Sequence, residues 1–176
     1  VDERLASIYP HLKIGEKWAY GGTGNVLAGK IVEAVTGLAV PMAYQQFILE
    51  PLGMKNTDVA GTHADAYSVP LDMARYGQML LNKGAYGQHL FFKPATFEMM
   101  LPRVLTIELG KDAKKTFGLG LDGQPKRFGH GAASAATFSV DVENELVVIM
   151  TRNKMGSNDG KYNGQFHEAI KAGILK

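Results

Sequence analysis

The run Ala136-Thr-Phe-Ser-Val-Asp-Val-Glu-Asn-Glu-Leu-Val-Val-Ile-Met150 decides the fold class. In its first half Ala136, Phe138 and Val140 alternate with Thr137, Ser139 and Asp141, the period of a half-buried strand. Its second half, Leu146 to Met150, is continuously apolar and predicts a strand buried on both faces. The link Val142-Glu143-Asn144 between the two is short enough for an antiparallel hairpin. A parallel pair would need a crossover of about a dozen residues or more.

Outward from this hairpin the periodicity divides the chain near residue 105. Between Pro102 and the hairpin lie short β runs punctuated by glycine, as in Phe117-Gly-Leu-Gly-Leu121 and the stretch before Gly129. Before Pro102 the period is helical. Leu27, Ile31 and Val35, flanked by Ala28 and Val32, predict a helix over 23–36 closed by Gly37. Pro41 opens a second helix to about residue 50, stopped by Pro51-Leu52-Gly53. A third spans 70–82 with Met73, Tyr76 and Leu80 on one side, and a fourth spans 94–101. Downstream, Tyr162, Phe166, Ala169, Ile170, Gly173 and Ile174 form a helical stripe. The expectation is α+β: a mainly helical part, 1–104, then sheet strands and a closing helix, 105–176.

With 45% hydrophobic and 20% charged residues, the 176-residue chain has the makeup of one ordinary globular domain. Its net charge of +2 is dispersed; Lys111, Lys114 and Lys115 form the one cluster, read as a solvated loop, so no basic stripe points to nucleic acid. The longest apolar run falls far short of the roughly 20 residues that cross a bilayer, and no membrane span is expected. Without cysteine there is no disulfide framework or thiolate metal site. Val1-Asp-Glu-Arg4 has no initiator Met, basic leader or apolar segment, and reads as a cut within a longer chain.

Two stretches could carry chemistry. Trp18-Ala-Tyr-Gly-Gly-Thr-Gly24 is a glycine-rich turn ahead of a helix, but it lacks the Gly-Lys-Ser/Thr ending of a phosphate loop. Its Tyr20 is a phenol at a helix entrance, able either to pack or to relay a proton. Phe128-Gly-His-Gly-Ala-Ala133 sets small residues around His130 at the start of a strand, where backbone N–H groups could receive an oxyanion; the plain alternative is a glycine-weakened strand with an exposed histidine. A metal centre would need His63, His89, His130 or His167 to converge, yet no pair has His-x-x-x-His spacing. No metal or other cofactor is expected.

The order and flanks of these motifs resemble one family. Tyr20-Gly21-Gly22 and the helix after it, introduced by Gly15-Glu-Lys-Trp18, resemble a Tyr-Ser-Asn block; Pro51-Leu-Gly-Met54 with Asn56-Thr57 resembles a second signature. Leu71-Asp-Met-Ala-Arg-Tyr76 followed by Leu80-Leu81 resembles an Asp-Leu-Ala-Arg-Phe helix, and Gly129-His-Gly-Ala132 resembles the Gly-His-Gly-Gly block that replaces Lys-Thr-Gly in many members. Over essentially its whole length the chain is similar to the penicillin-binding, class C β-lactamase and esterase family of serine hydrolases.

The resemblance implies a β-lactamase/transpeptidase-like fold, present in part, and hydrolysis of an amide or ester through an acyl-enzyme on the serine of a Ser-x-x-Lys helix. Tyr20 would relay the proton, His130 would orient or polarise the substrate, and Gly22, Gly131 and Ala132 would lie against it. The Ala133 N–H would donate to the oxyanion. The departures are equally plain. None of Ser7, Ser68, Ser134, Ser139 and Ser157 has lysine three residues later, and Thr151-Arg-Asn-Lys154 follows a strand. Gly22 replaces the asparagine and Ala132 the last glycine, which leans toward an esterase-like or diverged member. The leading expectation is therefore a serine hydrolase of β-lactam, D-alanyl peptide, amide or ester whose Ser-x-x-Lys part is absent from this chain, leaving it inactive alone. A non-catalytic binding domain of the same fold and a metal-dependent enzyme are the alternatives. A small-molecule or peptide substrate, a strand from another chain or N-terminal segment covering the sheet edge at 146–150, and a periplasmic or secreted location are further expectations of the resemblance.

Overall fold

The structure, a computed structural model, describes Trp18 and residues 20–174. The start at Val1, Ser7, the Gly15-Glu-Lys stretch and Ala19 lie outside the described residues. Helix α1 (Gly22–Thr36) ends at Gly37, whose left-handed φ of 70° turns its N–H onto the Glu33 carbonyl. Helix α2 (Val40–Tyr44) starts with Pro41 in its first turn and runs into a π-helical turn, Gln45–Leu49, and then α3 (Glu50–Leu52). The helix stops within the expected Pro51-Leu52-Gly53, at its last residue: the chain stays helical through the proline and ends at Gly53, φ 66°. Proline breaks an α-helix by crowding the carbonyl four residues back, and the wider π turn immediately before Pro51 eases that contact.

Three two-residue ladders follow among the remaining helices: β1 (Asp58–Val59) with β2 (Ala66–Tyr67), β3 (Ala85–Tyr86) with β4 (His89–Leu90), and β5 (Arg103–Val104) with β6 (Thr116–Phe117). Between them stand α4 (Pro70–Leu81), α5 (Pro94–Met100) and α6 (Thr106–Leu109). The expected β run at 117–121 is confined to its first residue, because the chain turns through Gly118 and Gly120 before β7 (Asp122–Gln124). The main sheet is antiparallel throughout, in the order β10-β9-β8-β7, with β8 (Arg127–Gly131), β9 (Thr137–Asp141) and β10 (Leu146–Met150). The β9–β10 hairpin pairs Leu146 with Asp141 and Met150 with Thr137, as the alternation at 136–141 requires. Helix α7 (Asp159–Ala172) closes the described chain, tied to the end of β10 by an Arg152–Asp159 ion pair.

Helix α4 packs on β9 and β10. It comes so close that a Cβ added at Gly77 would lie 2.3 Å from Val147 Cγ1 and 3.0 Å from Phe138 Cε2. The core fills the space between this sheet face and the helices: Leu52, Met79, Leu80, Phe97, Phe128 and Val140 are all buried. Every residue of β10 is only half-buried, however, correcting the expectation of a strand buried on both faces. It is the end strand among the described residues, with α4 against one face. Helix α1 has the expected apolar face, yet Leu27, Ile31 and Val35 are 46%, 58% and 80% exposed and only Gly29 is buried. The stripe on α7 likewise includes no buried residue.

Asp72 is the one fully buried acidic side chain in the described core. Its Oδ2 accepts the Asn56 N–H at 2.7 Å and the Thr57 hydroxyl at 3.0 Å, while Oδ1 pairs with Arg75 Nη1 at 2.6 Å. The same Arg75 nitrogen donates to the Gly53 carbonyl at 3.0 Å. The 51–57 motif and the Asp72-x-x-Arg75 motif are thus two halves of one buried clasp.

Candidate active site

Tyr20 stands just before α1, where the extended backbone of Gly21 (φ −176°) brings the chain into the helix. His130 comes from the middle of β8, between the buried Phe128 and Gly129 pair and the exposed Gly131. Sequence separation of 110 residues notwithstanding, Tyr20 Oη lies 3.2 Å from His130 Nε2. The other ring nitrogen, Nδ1, lies 2.6 Å from the Gly131 carbonyl oxygen. A carbonyl can only accept, so Nδ1 carries the proton, and in the neutral imidazole Nε2 is the acceptor for the Tyr20 O–H. If Nε2 takes that proton, both N–H groups of the resulting imidazolium keep partners. The contact thus offers a geometric route for a proton between the two side chains that leaves the Gly131 bond in place.

Aromatic rings fix its position. Tyr20 meets Phe117 edge to face at 6.1 Å, Trp18 packs on Phe117 at 5.4 Å, and Lys115 Nζ sits 4.4 Å above the Trp18 ring. Lys115 thereby leaves the solvated loop assigned to it from sequence and becomes half-buried. Tyr20 itself remains 54% exposed, facing a pocket of about 450 Å³ also lined by Gly21, Asn25, Tyr44, Thr62, His63, Ala64, Gly120 and His130. Asn25, Tyr44 and Thr62 are shared with an adjoining apolar groove of about 360 Å³ between α1 and the π turn.

The other sequence candidates are placed as follows. Gly22 begins α1 beneath His63: an added Cβ would lie 2.5 Å from His63 Nδ1. Gly131 has open space over its Cα and supplies the carbonyl that holds His130. The Ala132 N–H is taken by the Ala136 carbonyl at 2.9 Å in the turn closing β8 to β9. Ala133 is exposed in that turn, and its N–H has no backbone acceptor among the described residues. Neither alanine is among the pocket's lining residues. Of the four histidines weighed as metal ligands, His63 and His130 share this pocket while His89 and His167 lie on β4 and α7. No group of three His, Asp or Glu among the described residues could hold a metal ion. Phe117 and Lys115 escaped the sequence reading as site residues, and His63 entered it only as a candidate metal ligand, since none belongs to a motif.

A family model described as Beta-lactamase matches residues 1–170. A Salmonella schwarzengrund protein provisionally named D-alanyl-D-alanine carboxypeptidase is 23% identical over 80% of this chain and 46% of its own length. The chain thus spans about half the length of the curated relatives it matches. Among solved structures, a beta-lactamase from Mycobacterium bovis superposes with a TM-score of 0.73 at 20% identity, over 92% of this chain and 66% of its own. An octameric penicillin-binding protein homologue from Pyrococcus abyssi gives 0.67 at 24% identity, over 92% and 44%. Simvastatin synthase from Aspergillus terreus gives 0.69 at 18%, over 90% and 55%. At these identities the structures testify to a common fold.

Proposed function

The chain belongs to the beta-lactamase family, and from that premise we propose that it carries the tyrosine and histidine wall of a serine hydrolase that works through an acyl-enzyme. The observation that carries this reading is the 3.2 Å approach of Tyr20 Oη to His130 Nε2 at the mouth of a substrate-sized pocket. With its own proton passed to His130 Nε2, the Tyr20 oxygen takes the proton of a nucleophilic hydroxyl and then gives that proton to the leaving group, after which His130 returns the first proton to Tyr20. The substrate is a β-lactam, D-alanyl peptide, amide or ester. The serine and its lysine belong to a Ser-x-x-Lys segment outside this sequence, since no serine here has lysine three residues on. Family membership also supports a periplasmic or secreted location.

Treating the 176-residue chain with a fluorescent penicillin or a fluorophosphonate, followed by intact-mass measurement, should give no adduct. The full-length protein should label once, on the Ser-x-x-Lys serine. Stoichiometric labelling of Ser68, Ser134 or any other serine of this chain overturns the assignment.

The sheet edge supports a related expectation. Strand β10 ends the described sheet with a row of ladder groups and Val147, Val148 and Ile149 half-buried. Such an edge invites pairing, so a strand from the rest of the protein or from a second copy should cover it. Light scattering of the isolated chain should then report oligomers; a stable monomer with a solvated β10 edge contradicts this.

A further inference from the structure

We infer that His63 is a substrate-contacting residue of this pocket, which Gly22 permits by having no side chain. The inference rests on the hydrolytic reading of the pocket.

Three observations converge on it. First, His63 lines the same pocket as Tyr20 and His130. Second, its ring lies directly over Gly22: an added Cβ there would be 2.5 Å from Nδ1, 2.6 Å from Cγ and 2.7 Å from Cε1. No side chain can coexist with the ring in that place, so the imidazole occupies the volume that a residue at position 22 would otherwise fill. Third, the loop that delivers it is held in an uncommon conformation. Ala64, the next residue, has φ 59°, a left-handed backbone that a non-glycine residue adopts at a cost, and the Asp65 carbonyl closes the loop by accepting the Ala60 N–H at 2.9 Å.

The His63 ring has no hydrogen-bond partner among the described residues and is exposed to the pocket. A neutral imidazole offers one donor and one acceptor. That matches an amide or ester carbonyl together with an adjacent N–H or hydroxyl, so the group it takes is the polar backbone of an acyl substrate in the pocket it shares with Tyr20 and His130.

The mechanical consequence is specific. A methyl at position 22 need not disturb the fold, because it opens α1, where alanine is favoured over glycine, and it collides only with the end of a side chain that can rotate away. Gly22→Ala should therefore act by evicting the imidazole. In the full-length protein, with p-nitrophenyl butyrate and a chromogenic cephalosporin as probes, Gly22→Ala and His63→Ala should each lower kcat/KM by about 10-fold, the scale of one hydrogen bond. Melting temperature should hold or rise in Gly22→Ala. The double variant should be no worse than either single one, since both remove the same contact. Wild-type kcat/KM in His63→Ala, or fully multiplied losses in the double variant, overturns the inference. Tyr20→Phe in the same assay separates the two levels: a deep loss there with a neutral His63→Ala sinks the His63 role alone. An unaffected Tyr20→Phe, or no turnover of either probe by the wild-type protein, sinks the hydrolytic reading and this inference with it.

Discussion

Tyr20→Phe in the full-length protein should lower kcat by about 100-fold or more, the usual scale for a positioned general acid–base, with KM nearly unchanged. The substitution removes one oxygen and leaves the ring, so the packing of Tyr20 on Phe117 at 6.1 Å and beside Trp18 at 6.5 Å survives. What is lost is the hydroxyl 3.2 Å from His130 Nε2. His130 cannot substitute for it by simple rotation, because Nδ1 is engaged by the Gly131 carbonyl at 2.6 Å. An effect confined to kcat marks an interaction made in the transition state, whereas a change confined to KM marks lost ground-state binding. Steady-state kinetics with circular dichroism as a folding control decide it. Wild-type turnover in Tyr20→Phe assigns the residue to packing alone.

The parts of this fold that repeat with a period were legible in the sequence, and the parts set by single contacts were not. The β9–β10 hairpin and the helices at 22–36 and 70–81 follow from alternation, helical spacing and proline or glycine punctuation, each summed over many residues. A two-residue ladder such as Asp58–Val59 with Ala66–Tyr67 has no period to detect. The π turn at 45–49 hides for a different reason: its apolar residues look like an ordinary helix until the carbonyl spacing beside Pro51 is seen. In the candidate site, Tyr20 and His130 stood out in the sequence because each sits beside glycines in a motif, and what the structure adds is their approach to hydrogen-bond distance. Lys115 did not, and His63 did so only as a candidate metal ligand, since one contacts a ring and the other fills a gap, and neither role depends on neighbours in sequence. The exposed face of α1 shows the reverse limit, where the pattern marks residues for burial that nothing described covers.

Asp72→Ala should cost about 3–5 kcal/mol, the scale for removing one partner of a buried ion pair, and lower the melting temperature by about 10 °C in a domain of this size. The carboxylate is wholly inaccessible and serves three donors: the Asn56 N–H, the Thr57 hydroxyl and Arg75 Nη1. Alanine strands the Asn56 N–H, leaves Arg75 Nη1 only the Gly53 carbonyl and leaves the Thr57 hydroxyl only Ser68. Arg75→Ala should cost less, because that side chain is 30% exposed and its loss leaves Asp72 two of its donors. Asp72→Asn should fall between wild type and Asp72→Ala, retaining the shape and one acceptor oxygen. Urea unfolding with a constant m-value measures the ranking, and an Asp72→Ala loss under about 1 kcal/mol, within the range of ordinary surface positions, would remove the clasp from the account of stability. The damage should also reach the site. Asn56 and Thr57 lead directly into β1, and the loop after β1 carries Thr62, His63 and Ala64 onto the pocket wall. The Thr57 hydroxyl further bonds Ser68 Oγ at 2.7 Å, pinning the far end of that loop. Releasing Asp72 therefore loosens the Asn56–Thr57 end of the segment that holds His63. At a temperature where Asp72→Ala is still folded, its kcat/KM should drop toward the value of His63→Ala, while Tyr20, anchored by Phe117 and His130 on other elements, keeps its place.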